Sequence, residues 1–270
     1  MYKKSTRNKK QKNTRSYQQY KIQRQIDSSS SPGKSVFTLP EKYREFIYLC
    51  ATNKKQTMAR EPSDYIHDRI EEGEHQQQDF KFEISDARKI ARSLSAFANT
   101  DGGRLLVGVK DNGKIAGVRS EEEIYMVEAA TSLYCKPQIE CEMHTYRIEG
   151  RTVLEVIIPE GKQKPYYAKD HDNHWWAYVR VKDENILATP VHLKVWQQSG
   201  TPLGSLVRYT ESEQILLDHL AHHDTISLNQ YCRLARVSRP KAETILARFI
   251  RFDLIEAFFD GNKFLFKEKK

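Results

Sequence analysis

Glycine and proline are sparse, 12 and 9 in 270 residues, which excludes a collagen-like or linker-dominated chain and leaves most of it expected to fold. Cysteine is sparse too. Cys50, Cys135, Cys141 and Cys232 are scattered, without the density of a disulfide scaffold, and this favours a reducing, cytoplasmic setting. No run approaches the roughly 20 apolar residues of a membrane span, and the basic N-terminal segment lacks the apolar stretch of a signal peptide, so no membrane partner is expected. No G-x-x-x-x-G-K-[ST] loop occurs, which excludes a P-loop nucleotide site. Excess positive charge is missing from the body of the chain. The net charge is +8, but residues 1 to 34 hold ten Lys or Arg against Asp27 alone, so the remaining residues sum to −1. An electrostatic case for nucleic acid must therefore be made locally.

Residues 1–36 are rich in Lys, Gln, Asn and Ser with almost no aliphatic residues, and end near SSSSPGK. They cannot bury enough surface to offset chain entropy, so they read as a disordered basic tail, either a polyanion-binding arm or a solubilising extension. A linking helix is expected within 37–60, where LPEKYREFIYLCA carries an apolar stripe. A second helix is expected at 62–72, opened by Pro62 and Ser63 and ended by Gly73.

The period then changes. In QDFKFEI, Phe80, Phe82 and Ile84 alternate with Asp79, Lys81 and Glu83, the pattern of a half-buried strand with a charged outer face. Ser85 is the expected N-cap of a helix through Asn99, with Ala87, Ile90, Ala91, Leu94, Phe97 and Ala98 as its apolar stripe and Arg88, Lys89 and Arg92 on a solvated face. Gly102 and Gly103 let the helix end and the chain reverse into RLLVGV, while Asn112-Gly113 reads as a two-residue hairpin turn returning KIAGV antiparallel. Gly108, in mid-strand, marks the close approach of another backbone or a ligand. Asn99, Thr100 and Asp101 are surplus to the turn and point to a site at this junction.

Ser120 and Glu123 have capping-box spacing for a helix at 120–134. Strands follow around MHTYRI, RTVLEVIIP, YYA and WWAYVRV, then a closing helix at 189–199. Trp175, Trp176 and Tyr178 offer stacking faces, but aromatics in such a strand are the pattern of a core. Cys135, Cys141 and His144, with His171 and His174, include zinc-ligand types, yet C-x5-C-x2-H matches no common finger and no zinc site is assigned. Beyond a linker at 200–209, residues 210–270 give three helices, capped in part by Ser227 and Ser238, and a hairpin near Asp260-Gly261-Asn262. That is the order of a winged helix-turn-helix. Arg239 and Lys241 occupy the first turn of its third helix, with Arg236 before them and Arg248 and Arg251 beyond, as candidate contacts to DNA. Glu74, Asp79 and Asp111 are the candidate carboxylates for metal-assisted phosphodiester cleavage, with Lys81 placed to neutralise charge.

Three stretches resemble the Schlafen-type AlbA-like domain. YIHDRIEEGEHQQQDFKF resembles its helix followed by Glu-Ser and Glu-Phe-Lys. AFANTDGGRLLVGVKDNGKIAGV is similar to its Ala-Phe-Ala-Asn-Thr-x-Gly-Gly signature, and AYVRVKDEN to its late Tyr-x-Arg strand. The resemblance covers about 65 to 190. It implies an α+β domain with a mainly antiparallel sheet and packed helices over 61–199, followed by the small winged helix-turn-helix at 210–270. It also implies nucleic-acid binding, DNA before RNA, in a transcriptional regulator, with Lys81, Asn99 and Arg180 as contacts of the first domain and Arg236, Arg239, Lys241 and Arg248 as contacts of the second. Dimerisation is expected from how such regulators read paired half-sites. An alternative is a nuclease acting on RNA or single strands, because relatives that cut RNA carry acids at the positions of Glu74 and Asp79 and a third just after the Gly-Val of the hairpin strand. Glu74, Asp79 and Asp111 would then hold Mg or Mn. That third position is Lys110 here, with Asp111 one residue on, and one step along a strand reverses the face. A second alternative is an ATP-binding or protein-interaction adaptor; ATP is implied by the family label alone.

Overall fold

The computed structural model describes residues 62–199 and 210–269. The expected basic tail, the helix at 37–60 and the linker at 200–209 lie outside the described residues. Both described stretches belong to one compact unit, Arg60–Lys270.

The fold is built on a strand-helix-strand unit. Strand β1 (Gln78–Lys81) and strand β2 (Gly103–Val107) pair in parallel, Gln78 against Arg104 through Lys81 against Val107, with helix α2 (Ala87–Asn99) crossing between them. The helix before them, α1 (Pro62–Glu71), ends as expected at Gly73, with φ of 71°. β2 continues antiparallel to β5 (Arg151–Ile158), which pairs with β4 (Glu142–Ile148), giving the order β1-β2-β5-β4. A second antiparallel sheet has the order β3 (Cys135–Lys136), β6 (Tyr167–Lys169), β7 (Trp175–Val181), β8 (Glu184–Leu187).

α2 lies at the centre of the main core. Its Ile90, Leu94 and Phe97 pack with Leu105, Val107, Leu154, Val156 and Ile158 of the first sheet, Ala168 of the second, and Val127 and Ala130 of helix α3 (Glu122–Leu133). Fully burying a side chain such as Leu94 or Phe97 contributes roughly 1.5–3 kcal/mol. A smaller cluster, Ile66 of α1 with Phe80, Leu106, Val109, Ile148 and Val153, involves the same strands as well. This corrects the reading of β1: Gln78, Asp79 and Phe80 are all buried, so its charged face is not an outer face, while Phe82 is exposed.

Local details differ where polar side chains had two possible uses. The N-cap of α2 is Asp86 rather than Ser85; its carboxylate accepts from the Arg88 amide at 2.9 Å, and a carboxylate there also complements the helix dipole. Glu123 makes no capping box with Ser120. Its two oxygens accept from the amides of Ile84 (2.9 Å) and Arg119 (2.7 Å), tying the exit of β1 to α3.

The returning hairpin arm is not a strand. One bridge forms, Val109 with Ile115, and the turn spans three residues: the Gly113 amide donates to Lys110 O at 2.7 Å and the Lys110 amide to Lys114 O at 3.1 Å. Of the pair Asn112-Gly113, Gly113 alone has positive φ (77°), the geometry of a three-residue loop and not a two-residue turn. The cause is Gly108. At φ 88° it ends β2, and its carbonyl accepts from the amides of both Ala116 and Gly117. A Cβ at this position would meet the Gly117 carbonyl carbon and the Val118 nitrogen at 2.8 Å, so the close approach is of backbone.

After β8, helix α4 (Pro190–Gln198) is capped by Thr189 and His192. Beyond residue 209 come α5 (Glu211–His222), β9 (Ile226–Ser227), α6 (Leu228–Leu234), α7 (Arg239–Arg251), β10 (Ile255–Phe259) and β11 (Phe264–Glu268), with the three strands in the order β10-β11-β9. Ser227 caps α6 as expected, accepting from the Gln230 amide at 3.2 Å, whereas Ser238 makes no side-chain cap bond. Leu216, Leu220, Tyr231, Ile245, Leu246, Phe249 and Phe266 form this core, joined by Val191 and Val195 from α4. No described helix is long and apolar enough to cross a membrane.

Candidate nucleic-acid interface and acid pair

The turn after Gly73 carries Glu74 back over β1. His75 and Gln78 exchange backbone hydrogen bonds at 3.0 and 3.1 Å, and Glu74 Oε1 accepts from the Phe80 amide at 2.8 Å. Glu74 therefore meets Asp79. Burial, and then the hydrogen bond to Asp79, push the Glu74 carboxyl above its ordinary value. Burial works in the same direction on Asp79, but the bond with Glu74 and the cations Lys81 and Arg180 outweigh it and hold Asp79 below its ordinary value. The two carboxyls titrate together, and Glu74 is the member that takes up a proton first as pH falls. Lys81 Nζ lies 2.9 Å and Arg180 Nη2 3.5 Å from the Asp79 carboxylate.

These donors do not fit the divalent cation that the nuclease reading requires. Asp79 is already neutralised by two cations, Asp111 is exposed on the three-residue loop, and the Lys110 ammonium sits 5.0 Å from the Phe82 ring centroid. Among the described residues, the three-ligand set whose donor atoms lie within 4.8 Å of one another is Asp170, Asp172 and His174, all in the β6–β7 loop, and it includes none of Glu74, Asp79 or Asp111. Cys135, Cys141 and His144 do not form such a set either.

The polar residues at the end of α2 stitch the helix to the second sheet. The β6–β7 ladder begins at Tyr167 opposite Ala177, so Tyr166 and Tyr178 form the next, open pair. The Asn99 amide closes it: Nδ2 donates to Tyr166 O (2.7 Å) and Tyr178 O (3.0 Å), and Oδ1 accepts from the Tyr166 amide (2.7 Å). Ser95 Oγ adds a bond to Tyr166 O (2.8 Å) and accepts from the Tyr178 amide (3.3 Å). Thr100 Oγ1 accepts from the Arg180 amide at 2.9 Å, and Asp101, exposed, accepts from Gln76 at 3.2 Å. Asn99 is 3 % exposed and faces no solvent-lined site. Arg180 is likewise interior at 2 % exposure, donating to Asn185 Oδ1 and Gln78 O at 3.0 Å with its guanidinium over Phe97. As placed, neither Asn99 nor Arg180 reaches a nucleic acid.

In the C-terminal part, Arg236 and Lys241 are exposed, and Arg239 is 59 % exposed while bonding Asn229 and Glu243. Arg248 instead pairs with Glu213, whose side chain is 4 % exposed, and so joins α7 to α5. α7 is covered on two sides. Ala242, Ile245, Leu246 and Phe249 face its own core, yet Ala247, about 140° round the helix from Ala242, is also fully buried. The cover is α4: Lys194 Nζ reaches Thr244 Oγ1 (3.2 Å), Pro240 O (3.4 Å) and Glu243 Oε2 (3.8 Å). Beside these contacts, Arg236 just before α7 and Arg239 and Lys241 in its first turn stay exposed.

Two groups escaped the sequence reading. Glu155, fully buried, accepts from Tyr65 Oη (2.8 Å) and Tyr146 Oη (3.1 Å), with Arg104 at 3.8 Å; burial and then the Glu155 carboxylate push Tyr146 up to about 12. A charged residue within the apolar run VLEVII was its one signal. Trp175 and Trp176, read as core, are 38 % and 43 % exposed. They lie at the start of β7, beside the β6–β7 loop and short of the Tyr178 position where α2 is stitched on.

Residues 74–189 match the family model described as Schlafen, AlbA_2. No curated protein matches the chain. Solved structures similar to it include the DIP2311 protein from Corynebacterium diphtheriae, at 21% identity and a TM-score of 0.36, covering 47% of this chain. The chain covers 24% of that protein's length. Another is the N-terminal domain of a DNA helicase RecG-related protein from Nitrosomonas europaea, at 25% identity and a TM-score of 0.32, covering 42% of this chain and 82% of that one.

Proposed function

We propose that the protein, whose residues 74–189 match the Schlafen, AlbA_2 family model, is a cytoplasmic nucleic-acid-binding protein that acts as a DNA-binding transcriptional regulator. In this reading residues 61–199 are the AlbA-like domain, 200–209 a linker and 210–270 a winged helix-turn-helix, with the 1–36 tail adding sequence-independent phosphate contacts. The observation that carries it is the exposed basic turn at the start of α7, Arg236, Arg239 and Lys241, in a segment with the helix and hairpin order of a winged helix. Helix-turn-helix readers touch base edges with the N-terminal residues of the second helix of the motif, the position this reading gives to α7. Duplex DNA is met first by this exposed N-terminal end of α7. A dimer would set two such ends against paired half-sites.

The test is a titration of duplex DNA at several salt concentrations. Arg239→Ala/Lys241→Ala is expected to weaken binding and flatten the dependence of log affinity on log salt by about two phosphate contacts. An unaltered affinity and slope would remove α7 from the interface.

A further inference from the structure

The exposed face beside α2 holds a pocket of about 370 Å³ lined by Trp176 and Tyr178 of β7, Asn185 and Leu187 of β8, Asp170, and Arg92 of α2. Its volume falls at the small end of ligand pockets, ~300–1,000 Å³. Trp176 and Tyr178, two apart on one strand, present their rings to the same side. The indole is held in place: Trp176 Nε1 donates to Asp170 Oδ2 at 2.8 Å, and Asp170 Oδ1 accepts from the His174 amide at 2.8 Å. The ring is 43 % exposed, with His174 edge-on at 6.4 Å between centroids. The Arg92 guanidinium stands 5.1 Å from the Tyr178 centroid. Along the same helix, Arg88, Lys89 and Arg92 make no ion pair with a carboxylate among the described residues; Arg88 bonds His171 Nδ1 and sits over Tyr134. Of the acids nearby, Asp170 is engaged by Trp176 and Asp86 by His171 at 3.0 Å and by the α2 N-terminus, while Asp172 is exposed in the β6–β7 loop.

A rigid, half-exposed indole, a guanidinium stacked on a tyrosine, and cations without a carboxylate partner in the adjoining turn together match an unstacked nucleobase and its flanking phosphate. We infer that this pocket binds an unpaired base of single-stranded nucleic acid, with Trp176 as the stacking face and Lys89 and Arg92 as the phosphate contacts. The inference rests on the nucleic-acid reading but uses a surface remote in sequence from the basic turn of α7. Duplex bases, already stacked and paired, have no free face to offer it. A free nucleotide carries the same chemistry, but the occupant is the strand, whose flanking phosphates lie within reach of the α2 cations.

The full chain is titrated with oligothymidylate, with duplex DNA and with AMP, following tryptophan fluorescence and binding together. Quenching by oligothymidylate is expected, lost in Trp176→Ala, with affinity reduced about tenfold in Trp176→Ala and Arg92→Ala. Trp175→Ala, on the opposite face of β7, is expected to bind as the parent does. Arg92 is exposed on a helix, so its variant reports on the pocket even if Trp176→Ala folds poorly, as circular dichroism would reveal. If oligothymidylate binds but both variants bind it equally well, the pocket is overturned while nucleic-acid binding stands. Quenching by AMP alone overturns the strand as occupant. Absence of binding to any nucleic acid overturns this inference and the proposed function together.

Discussion

Replacing Asn99 by alanine removes the amide that closes the open end of the β6–β7 ladder. Four hydrogen bonds disappear, three with Tyr166 and Tyr178 at 2.7, 2.7 and 3.0 Å and a longer one to Ser95 Oγ at 3.4 Å. Tyr166 O keeps Ser95 Oγ, but the Tyr166 amide and Tyr178 O lose the partner that Asn99 supplies, in a place 3 % exposed. Each buried group left unpaired costs about 1–3 kcal/mol, so the substitution is expected to destabilise by about 3 kcal/mol. For a unit of this size that lowers Tm by roughly 6–12 °C. Thermal melts and urea unfolding of the full chain measure it, and single-strand binding at a temperature where both proteins are folded is expected to be unchanged. A Tm within about 1 °C of the parent, with nucleic-acid affinity lost, would refute the stitch and make Asn99 a ligand contact.

Arg248→Ala leaves the Glu213 carboxylate, 4 % exposed, without its cation, and is expected to cost about 2–3 kcal/mol in urea unfolding while the salt slope of DNA binding stays fixed; a flattened slope would place Arg248 in the interface. His192, against Phe264 at 4.6 Å, is brought down by burial to about 4. Between its unfolded value near 6.5 and 4 the unfolded chain binds the extra proton, so stability falls as pH falls through that window, by on the order of 1–2 kcal/mol for a ring that keeps some exposure. Parent and His192→Gln should converge at pH 4.5 relative to pH 7, and a constant difference would mean the ring is not desolvated. Gly108→Ala forces a Cβ to 2.8 Å from the Gly117–Val118 backbone at a positive φ, and should cost more than about 2 kcal/mol; a neutral result in urea unfolding would dissolve the close approach.

Periodicity made the elements legible. The stripes of α2 and α7, the strand runs in 142–158 and the stop at Gly73 all stand where the pattern of apolar residues and breakers puts them. What the pattern did not carry is coverage. Alternation in QDFKFEI says which residues share a face, but not that α1 and α2 bury both, and so Asp79 became interior. Polar residues near helix ends were ambiguous for the same reason. Asn99 and Arg180 have the chemistry of ligand contacts, and their partners, Tyr166, Tyr178, Gln78 and Asn185, lie up to 102 residues away in the chain. The acid pair Glu74 and Asp79 was visible as a pair, while its neutralisation by Arg180 required the second sheet to fold back on the first. Trp176 failed in the opposite sense: an aromatic strand end reads as core, and it lies at the open edge of a pocket.

The most direct test of the account incubates the full chain with labelled single-stranded DNA, duplex DNA and structured RNA, with and without Mn²⁺, and reads binding and cleavage on the same samples. Binding that weakens as salt rises, with no Mn²⁺-dependent cleavage, is the predicted result, because Lys81 and Arg180 neutralise Asp79 and Lys110 holds the third position. Mn²⁺-dependent cleavage that disappears in Glu74→Gln would contradict it and make the Glu74–Asp79 pair part of a catalytic centre.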